Sequence, residues 1–245
     1  MFIRLMLFHG RQLLRIPFFL QQALIAPLAF QCLRAIGMLG SDVGVQGDLW
    51  MLSGIAGMWA TTTLAVGLIG FQRFQGTLEY LAISTLSPST VFGSLASSAM
   101  VIGLLGFPLT FIAQQITGGE PTLNATQLVG IGGAAIACGV SSWLLAAVFV
   151  LFRTARVYEP LILTPVWLLC GVVIPLNILP NWTVAIAVAH PLTWVVLAVE
   201  QSNLLGALPL FGVAVLVCVL WSIAAGLALR TALARARVAG TLGLS

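Results

Sequence analysis

Lysine is absent from this chain, and charged residues of any kind are scarce. All ten basic residues are arginine, and charged side chains make up 7% of the 245 residues, against about 25% in a soluble globular domain. Hydrophobic residues account for 60% of the chain, and the mean hydropathy is +1.11. This composition excludes a soluble globular protein and indicates an integral membrane protein.

Several catalytic motifs are also missing. A Walker A loop needs a lysine to reach the nucleotide phosphates, so this chain cannot hydrolyse ATP in that way by itself. The only histidines, His9 and His190, are too far apart for a His-Glu-x-x-His zinc motif, and no Gly-x-Ser-x-Gly motif is present. The four cysteines lie in separate apolar stretches without CxxC spacing. The sequence therefore predicts no catalytic residue, metal site or cofactor in this chain.

Six apolar stretches reach or approach the length of about 20 residues that a helix needs to cross a bilayer. They are Phe18 to Gly37, Leu49 to Phe71, Val91 to Ile116, Leu128 to Phe152, Leu161 to Leu176 and Leu204 to Leu229. We expect an all-α membrane protein whose residues 1–245 form a single transmembrane domain.

The distribution of arginine predicts the orientation, because cationic loops are retained on the cytoplasmic side. With both termini inside, only Arg34 points outward. The other nine arginines then lie inside, namely Arg4, Arg11, Arg15, Arg73, Arg153, Arg156, Arg230, Arg235 and Arg237. The formal charge of +4 follows from this topology, so no nucleic-acid partner is needed to explain it. The lysine-free composition, rich in alanine and leucine, indicates a multi-pass protein of a bacterial cytoplasmic membrane.

Residues 1–16 form a predicted amphipathic helix ahead of the first span. Arg4, Arg11 and Arg15 fall within about 20° of one line on a helical projection, and the opposite side is apolar. A helix with a narrow cationic stripe lies in the plane of the membrane interface, and Pro17 favours a break before the first span. The alternative is that these residues are the cytoplasmic start of that span.

Residues 177–201 depart from the pattern of simple spans. They contain two apolar segments too short to cross a bilayer, which favours a re-entrant hairpin between the fifth and sixth spans, entering from the outer side. Irregular backbone at membrane depth requires cover from protein or a water-filled cavity. Pro175, Pro180, His190 and Pro191 are therefore candidates for an external gate, and for His190 the other interpretation is a cap on the turn before Pro191.

Residues 72–89 are a polar, partly amphipathic insert that the predicted topology places in the cytoplasm. Gly76 lies at its centre, where it disfavours a regular helix by about 1 kcal/mol and allows a bend or the close approach of a partner. The alternative interpretation is a short interfacial connector.

Two motifs resemble the permeases of ABC-2 type transporters. Residues 73–81 read Arg-Phe-Gln-Gly-Thr-Leu-Glu-Tyr-Leu and residues 84–88 read Ser-Thr-Leu-Ser-Pro, similar to the Glu-Arg-x-x-Gly-Thr-Leu-Glu-x-Leu…Ser-Pro signature of that family. Residues 171–182 and 190–193 are similar to its Gly-x-x-x-Pro…Leu-Pro-x-Trp…Pro-Leu-Thr region. Gln72 and Phe74 depart from the signature, which often has charged residues there.

The resemblance implies the permease subunit of an ABC exporter. It implies two cytosolic ATPase subunits that bind ATP and Mg²⁺, and a second permease that is identical or homologous. It assigns Arg73, Gly76, Thr77 and Glu79 to a coupling helix that docks on the ATPase.

The substrate expected from the short outer loops and apolar spans is a small amphipathic compound, such as a drug, an antibiotic or a lipid-like molecule. It would be exported by alternating access. Three alternatives remain open at this point. The chain could export a lipid-linked polysaccharide or haem, it could be a membrane scaffold without a transport path, or it could be a secondary carrier, which the lack of ionisable residues near the span centres disfavours.

Overall fold

The computed structural model describes residues 1–38, 49–74, 86–152, 157 and 159–238. Within these ranges the chain forms helices and no strand, which confirms the predicted all-α membrane fold. The α-helices are α1 Phe2–Leu14, α2 Pro17–Met38, α3 Leu49–Phe74, α4 Pro88–Gly103, α5 Gly106–Ile116, α6 Ala125–Leu151, α7 Glu159–Leu169, α8 Asn181–Ala187, α9 Pro191–Val199 and α10 Leu204–Val238. A short 3₁₀ turn, Leu176–Ile178, lies between α7 and α8.

Five of the predicted spans are long and apolar enough to cross a membrane in the part of the chain that the structure describes. They are Pro17–Gly37, Leu49–Ile69, Pro88–Ile116, Ala125–Leu151 and Leu204–Ala236. The third is broken into α4 and α5 at residues 104–105. A sixth crossing is reached only if α8 and α9 count together, and these two short helices meet at an angle of 105°.

The fifth predicted span is shorter than expected. Helix α7 has 11 residues and ends at Leu169, so at 1.5 Å per residue it covers roughly half of a hydrocarbon core about 30 Å thick. The chain reverses at Gly171, whose φ of +82° is left-handed and therefore favours glycine after a helix end. The sequence from Gly171 to Leu176, predicted as helix, is turn and irregular structure instead.

Helix α3 is the centre of the bundle. Within its span 83% of the residues are buried inside the fold, compared with 28% for α2 and 22% for α10. Helices α2, α4, α5 and α6 all pack against α3. The outward faces of α2 and α10 are therefore available to lipid, substrate or a partner subunit.

Close contact between α2, α3 and α5 depends on two glycines. Pro27, inside α2, packs against Gly57 of α3 and Gly106 of α5. A Cβ atom on Gly57 would lie 2.5 Å from Pro27 Cβ and 2.8 Å from Pro27 Cα. The absence of a side chain at residue 57 thus sets the separation of α2 from α3.

Candidate transport site

The predicted coupling segment, residues 72–89, is described only at its two ends. The backbone of α3 continues to Phe74, so Arg73 lies in its last turn. Gly76, Thr77 and Glu79 lie outside the described residues. Their coupling role remains a prediction from the resemblance.

The Ser-Pro end of the same motif has a structural role. Ser87 is the N-cap of α4, and its Oγ accepts a hydrogen bond from the Thr90 N–H at 3.2 Å. Pro88 occupies the first helical position, where its missing N–H costs nothing. Helix α4 therefore begins at Pro88, within the last residues of the predicted coupling segment.

Helix α1 separates its side chains into sectors, as the periodicity predicts. Arg4, Arg11 and Arg15 are exposed on one side, whereas His9 and Leu13 are buried on the other. A third sector is apolar and exposed, and its members are Ile3, Leu7 and Leu14. A helix that presents protein-facing, lipid-facing and cationic sectors suits the membrane interface, where arginine lies near phosphate groups.

Helix α1 is attached to α4. The Ser98 hydroxyl of α4 has one proton, which it shares between the Met6 carbonyl oxygen of α1 at 2.6 Å and the Ser94 carbonyl oxygen at 2.7 Å. Gly10 lies beside this contact, where an added Cβ would be at an ordinary van der Waals distance of 4.0 Å from Ser98 Cβ. This hydrogen bond attaches α1 to the helix that contains the end of residues 72–89.

His9 should make the α1 contact sensitive to pH. Its side chain is buried, and its Nε2 atom has no hydrogen-bond partner among the described residues. Burial lowers the pKa of His9 below its ordinary value of 6.5, so the folded state binds this proton less readily than the unfolded state. Stability is therefore lost as the pH falls below about 6.5.

We expect the melting temperature in detergent to fall between pH 7.5 and pH 5.5, and to fall less in His9→Leu. An equal decrease in both proteins would contradict this role.

The α8–α9 hairpin satisfies its own backbone at the bend. Three consecutive carbonyl oxygens at the end of α8 accept hydrogen bonds from side chains. The pairs are Ala187 with Thr193 Oγ1 at 2.6 Å, Val188 with Trp194 Nε1 at 2.8 Å, and Ala189 with Trp221 Nε1 at 2.9 Å. Non-helical backbone is tolerated inside a membrane only when it is paired in this way. The third donor lies in α10, so the hairpin is anchored to that helix.

The candidate gate residues lie where helices begin. Pro175 precedes the 3₁₀ turn, Pro180 is the N-cap of α8, and Pro191 is the first residue of α9. His190 is the N-cap of α9, and its Nδ1 accepts a hydrogen bond from the Leu192 N–H at 3.2 Å. The capping interpretation of His190 is therefore present in the structure, and a gating role for these four residues remains a prediction.

His190 lies between two tryptophans. Its ring centroid is 5.6 Å from that of Trp59 and 4.9 Å from that of Trp221, with edge-to-face geometry in both pairs. Trp59 is the midpoint of the Leu49–Ile69 span, and Trp221 is one residue past the midpoint of Leu204–Ala236. The hairpin thus brings His190, an ionisable residue, level with the middle of two spans. This placement was not predicted from the sequence, because His190 lies outside the six predicted spans. Such residues at membrane depth mark functional sites by default.

A buried polar cluster, also missed from the sequence, joins α2, α3 and α5. The Oε1 atom of Gln114 accepts hydrogen bonds from the Trp50 N–H at 2.8 Å and from Gln31 Nε2 at 3.4 Å. The Thr110 hydroxyl donates to the Trp50 carbonyl oxygen at 2.9 Å. Trp50 is in the first turn of α3, where backbone N–H groups have no helical acceptor. Gln114 therefore acts as a cap supplied by a neighbouring helix.

Replacing Gln114 by leucine should destabilise the bundle by about 1–3 kcal/mol, because it leaves the buried Trp50 N–H without this acceptor. The matched control is Gln115→Leu, since Gln115 is the next residue and is exposed. Thermal unfolding in detergent, followed by size-exclusion chromatography, compares the two variants. Equal melting temperatures for both variants would contradict the capping role of Gln114.

These features define a multi-pass, all-α membrane protein with an amphipathic helix before its first span and a bent helical hairpin before its last. A family model described as ABC-2 type transporter matches residues 4–204, from α1 to the first residue of α10. No curated protein and no solved structure gives a significant match to the chain.

The chain belongs to the ABC-2 type transporter family. Members of this family are transmembrane permease components of ABC transporters, so an ABC ATPase is the partner that membership implies. The permease domain is not itself an ATPase.

Proposed function

We propose that this protein is the permease subunit of an exporter that moves a small amphipathic compound out across the bacterial cytoplasmic membrane. The substrate class comprises drugs, antibiotics and lipid-like molecules. The observation that most supports ATP-driven coupling is that α4 contains the end of the coupling segment, from Pro88, and is attached to α1 through Ser98 and Met6.

In this proposal two cytosolic ATPase subunits bind ATP and Mg²⁺ and close on each other. Arg73, Gly76, Thr77 and Glu79 form the surface that receives this movement. Helices α4 and α1 then shift together, and the spans alternate between inward-open and outward-open arrangements. ATP binding acts by favouring one of two existing states of the permease.

A second permease, identical or homologous, completes the transporter. The low burial of α2, with 28% of its span inside the fold, supports placing the second subunit or the translocation path against this helix. The exposed residues of α2 support the same placement, because they include the polar side chain of Gln21 beside Phe18 and Ile25. An amide facing lipid lacks the partners it would have in water.

The test is transport into inside-out vesicles that contain the chain with its ATPase. A fluorescent amphipathic dye should accumulate with ATP and should not accumulate with a non-hydrolysable analogue. A proton ionophore should leave accumulation unchanged. Accumulation that is indifferent to ATP and abolished by the ionophore would instead establish a secondary carrier, and the absence of accumulation for any amphipathic dye would favour a scaffold.

A further inference from the structure

A cavity of about 260 Å³ lies between α7, the α8–α9 hairpin and α10. Its walls are almost entirely apolar, and none of the described residues that line it is charged. The residues that matter here are Pro165, Leu169, Ile186, Ala189, His190 and Trp221. The cavity therefore offers an environment that excludes ions and favours hydrocarbon.

His190 places a polar ring in the lining of this cavity. Because Nδ1 accepts the hydrogen bond from Leu192 N–H, the hydrogen of the neutral imidazole ring lies on Nε2. His190 is 92% buried, from its relative exposure of 8%. Its Nε2 atom is not among the fully enclosed side-chain atoms that lack a partner in the described part of the chain, so Nε2 keeps accessible surface, and His190 lines the cavity. An N–H group that faces apolar surroundings lacks a strong acceptor, so a ligand that supplies an acceptor oxygen gains free energy at this position.

The cavity opens on the outer surface of the bundle. Pro165, Ile186 and Ala189 are exposed as well as lining it. A lipophilic molecule dissolved in the bilayer can therefore reach the cavity without crossing the packed core. The volume exceeds the roughly 150 Å³ that accommodates benzene in an engineered cavity, and is slightly below the about 300–1,000 Å³ of pockets for drug-sized ligands.

We infer that this cavity is a binding subsite for a lipophilic, uncharged compound that carries a hydrogen-bond acceptor oxygen, such as a ketone or ester carbonyl, which accepts a hydrogen bond from His190 Nε2–H. The apolar walls bind the hydrocarbon part, and His190 selects for the oxygen. This inference deepens the proposed function, on which it rests for the idea that the bound compound is a substrate. Binding itself needs neither ATP nor the ATPase.

The test uses two photoreactive probes with the purified chain in detergent. One is a long-chain alkyl ketone that carries a diazirine, and the other is the same diazirine on an alkane of equal length. Mass spectrometry of the labelled protein should place the ketone probe on peptides of α7, the hairpin and α10. Labelling by the ketone should saturate at lower probe concentration than labelling by the alkane.

His190→Asn isolates the contribution of the donor. Asparagine is a strong N-cap residue, so its carbonyl can replace Nδ1 as the acceptor for Leu192 N–H, while its shorter side chain withdraws from the cavity. We expect about fivefold weaker ketone binding, the effect of one net hydrogen bond, with alkane binding unchanged. Equal loss of both probes, or loss of neither, would overturn the role of His190.

Ala189→Phe tests the cavity independently of the cap. The larger ring should fill the space and reduce labelling by both probes. Ala185→Phe is the matched control, because Ala185 is an exposed alanine of α8 that does not line the cavity. Labelling that is the same in both variants would overturn the site. If binding follows these expectations but ATP-dependent transport is absent, the proposed function fails while the site stands.

Discussion

Gly57→Ala is expected to destabilise the protein by about 1–3 kcal/mol, as overpacking of a tight core does. The added Cβ would lie 2.5 Å from Pro27 Cβ and 2.8 Å from Pro27 Cα. The second of these atoms belongs to the backbone and the first to a ring that cannot rotate away. Relief therefore requires α2 to move away from α3, and Pro27 also packs against Gly106 of α5.

The control for this effect is Gly132→Ala, a glycine of α6 with no atom within 4 Å of the added Cβ. Alanine favours a helix over glycine by about 1 kcal/mol, so the control should keep or raise the melting temperature. Tryptophan fluorescence during heating in detergent measures both variants. A melting temperature for Gly57→Ala equal to that of the wild type would show that the α2–α3 separation is not set by this contact.

Glu79→Arg is expected to detach the ATPase. Reversing a charge in a docking surface replaces attraction to the partner's groups by repulsion. The change costs about 2–5 kcal/mol of binding free energy when the charge pair is desolvated. This corresponds to a loss of binding of about 30-fold or more. The amount of ATPase recovered with the tagged chain should fall accordingly, and ATP-dependent dye accumulation should fall to background.

Glu159→Arg is the matched control for Glu79→Arg. Glu159 is the other acidic residue predicted on the cytoplasmic side, and it lies outside the coupling segment 72–89. Recovery of the ATPase should be close to that of the wild type in this variant. If both variants lose the ATPase equally, the effect comes from net charge on the cytoplasmic face, and the assignment of the coupling helix is wrong.

The positions of the long spans could be predicted because the length of an apolar run is a direct property of the sequence. The bounds of α2, α3 and α6 follow the predicted runs closely, whereas α10 continues to Val238, beyond the predicted end at Leu229. The end of α7 could not be predicted in this way, because Leu161 to Leu176 is apolar throughout, and only the left-handed turn at Gly171 separates helix from irregular chain. The hydropathy of an apolar run is the same whether the helix continues or ends in a turn, so the end of α7 could not be predicted from it.

The site was predictable where it depends on periodicity and was missed where it depends on tertiary contacts. The arginine stripe of α1 follows from helical spacing. The level of His190 relative to the spans is seen only from its ring contacts with Trp59 and Trp221. These residues are 131 and 31 positions away along the chain (190 − 59 and 221 − 190). Gln31 and Gln114, likewise, are 83 residues apart, so neither shows its role in its local sequence.

The most direct test of the account is to purify the tagged chain from its native host in mild detergent and identify the proteins that accompany it in stoichiometric amounts. The account predicts a Walker-type ATPase among them, with ATP hydrolysis by the purified complex. If no ATPase is recovered under conditions that preserve other membrane complexes, the proposed ATP-driven function is contradicted.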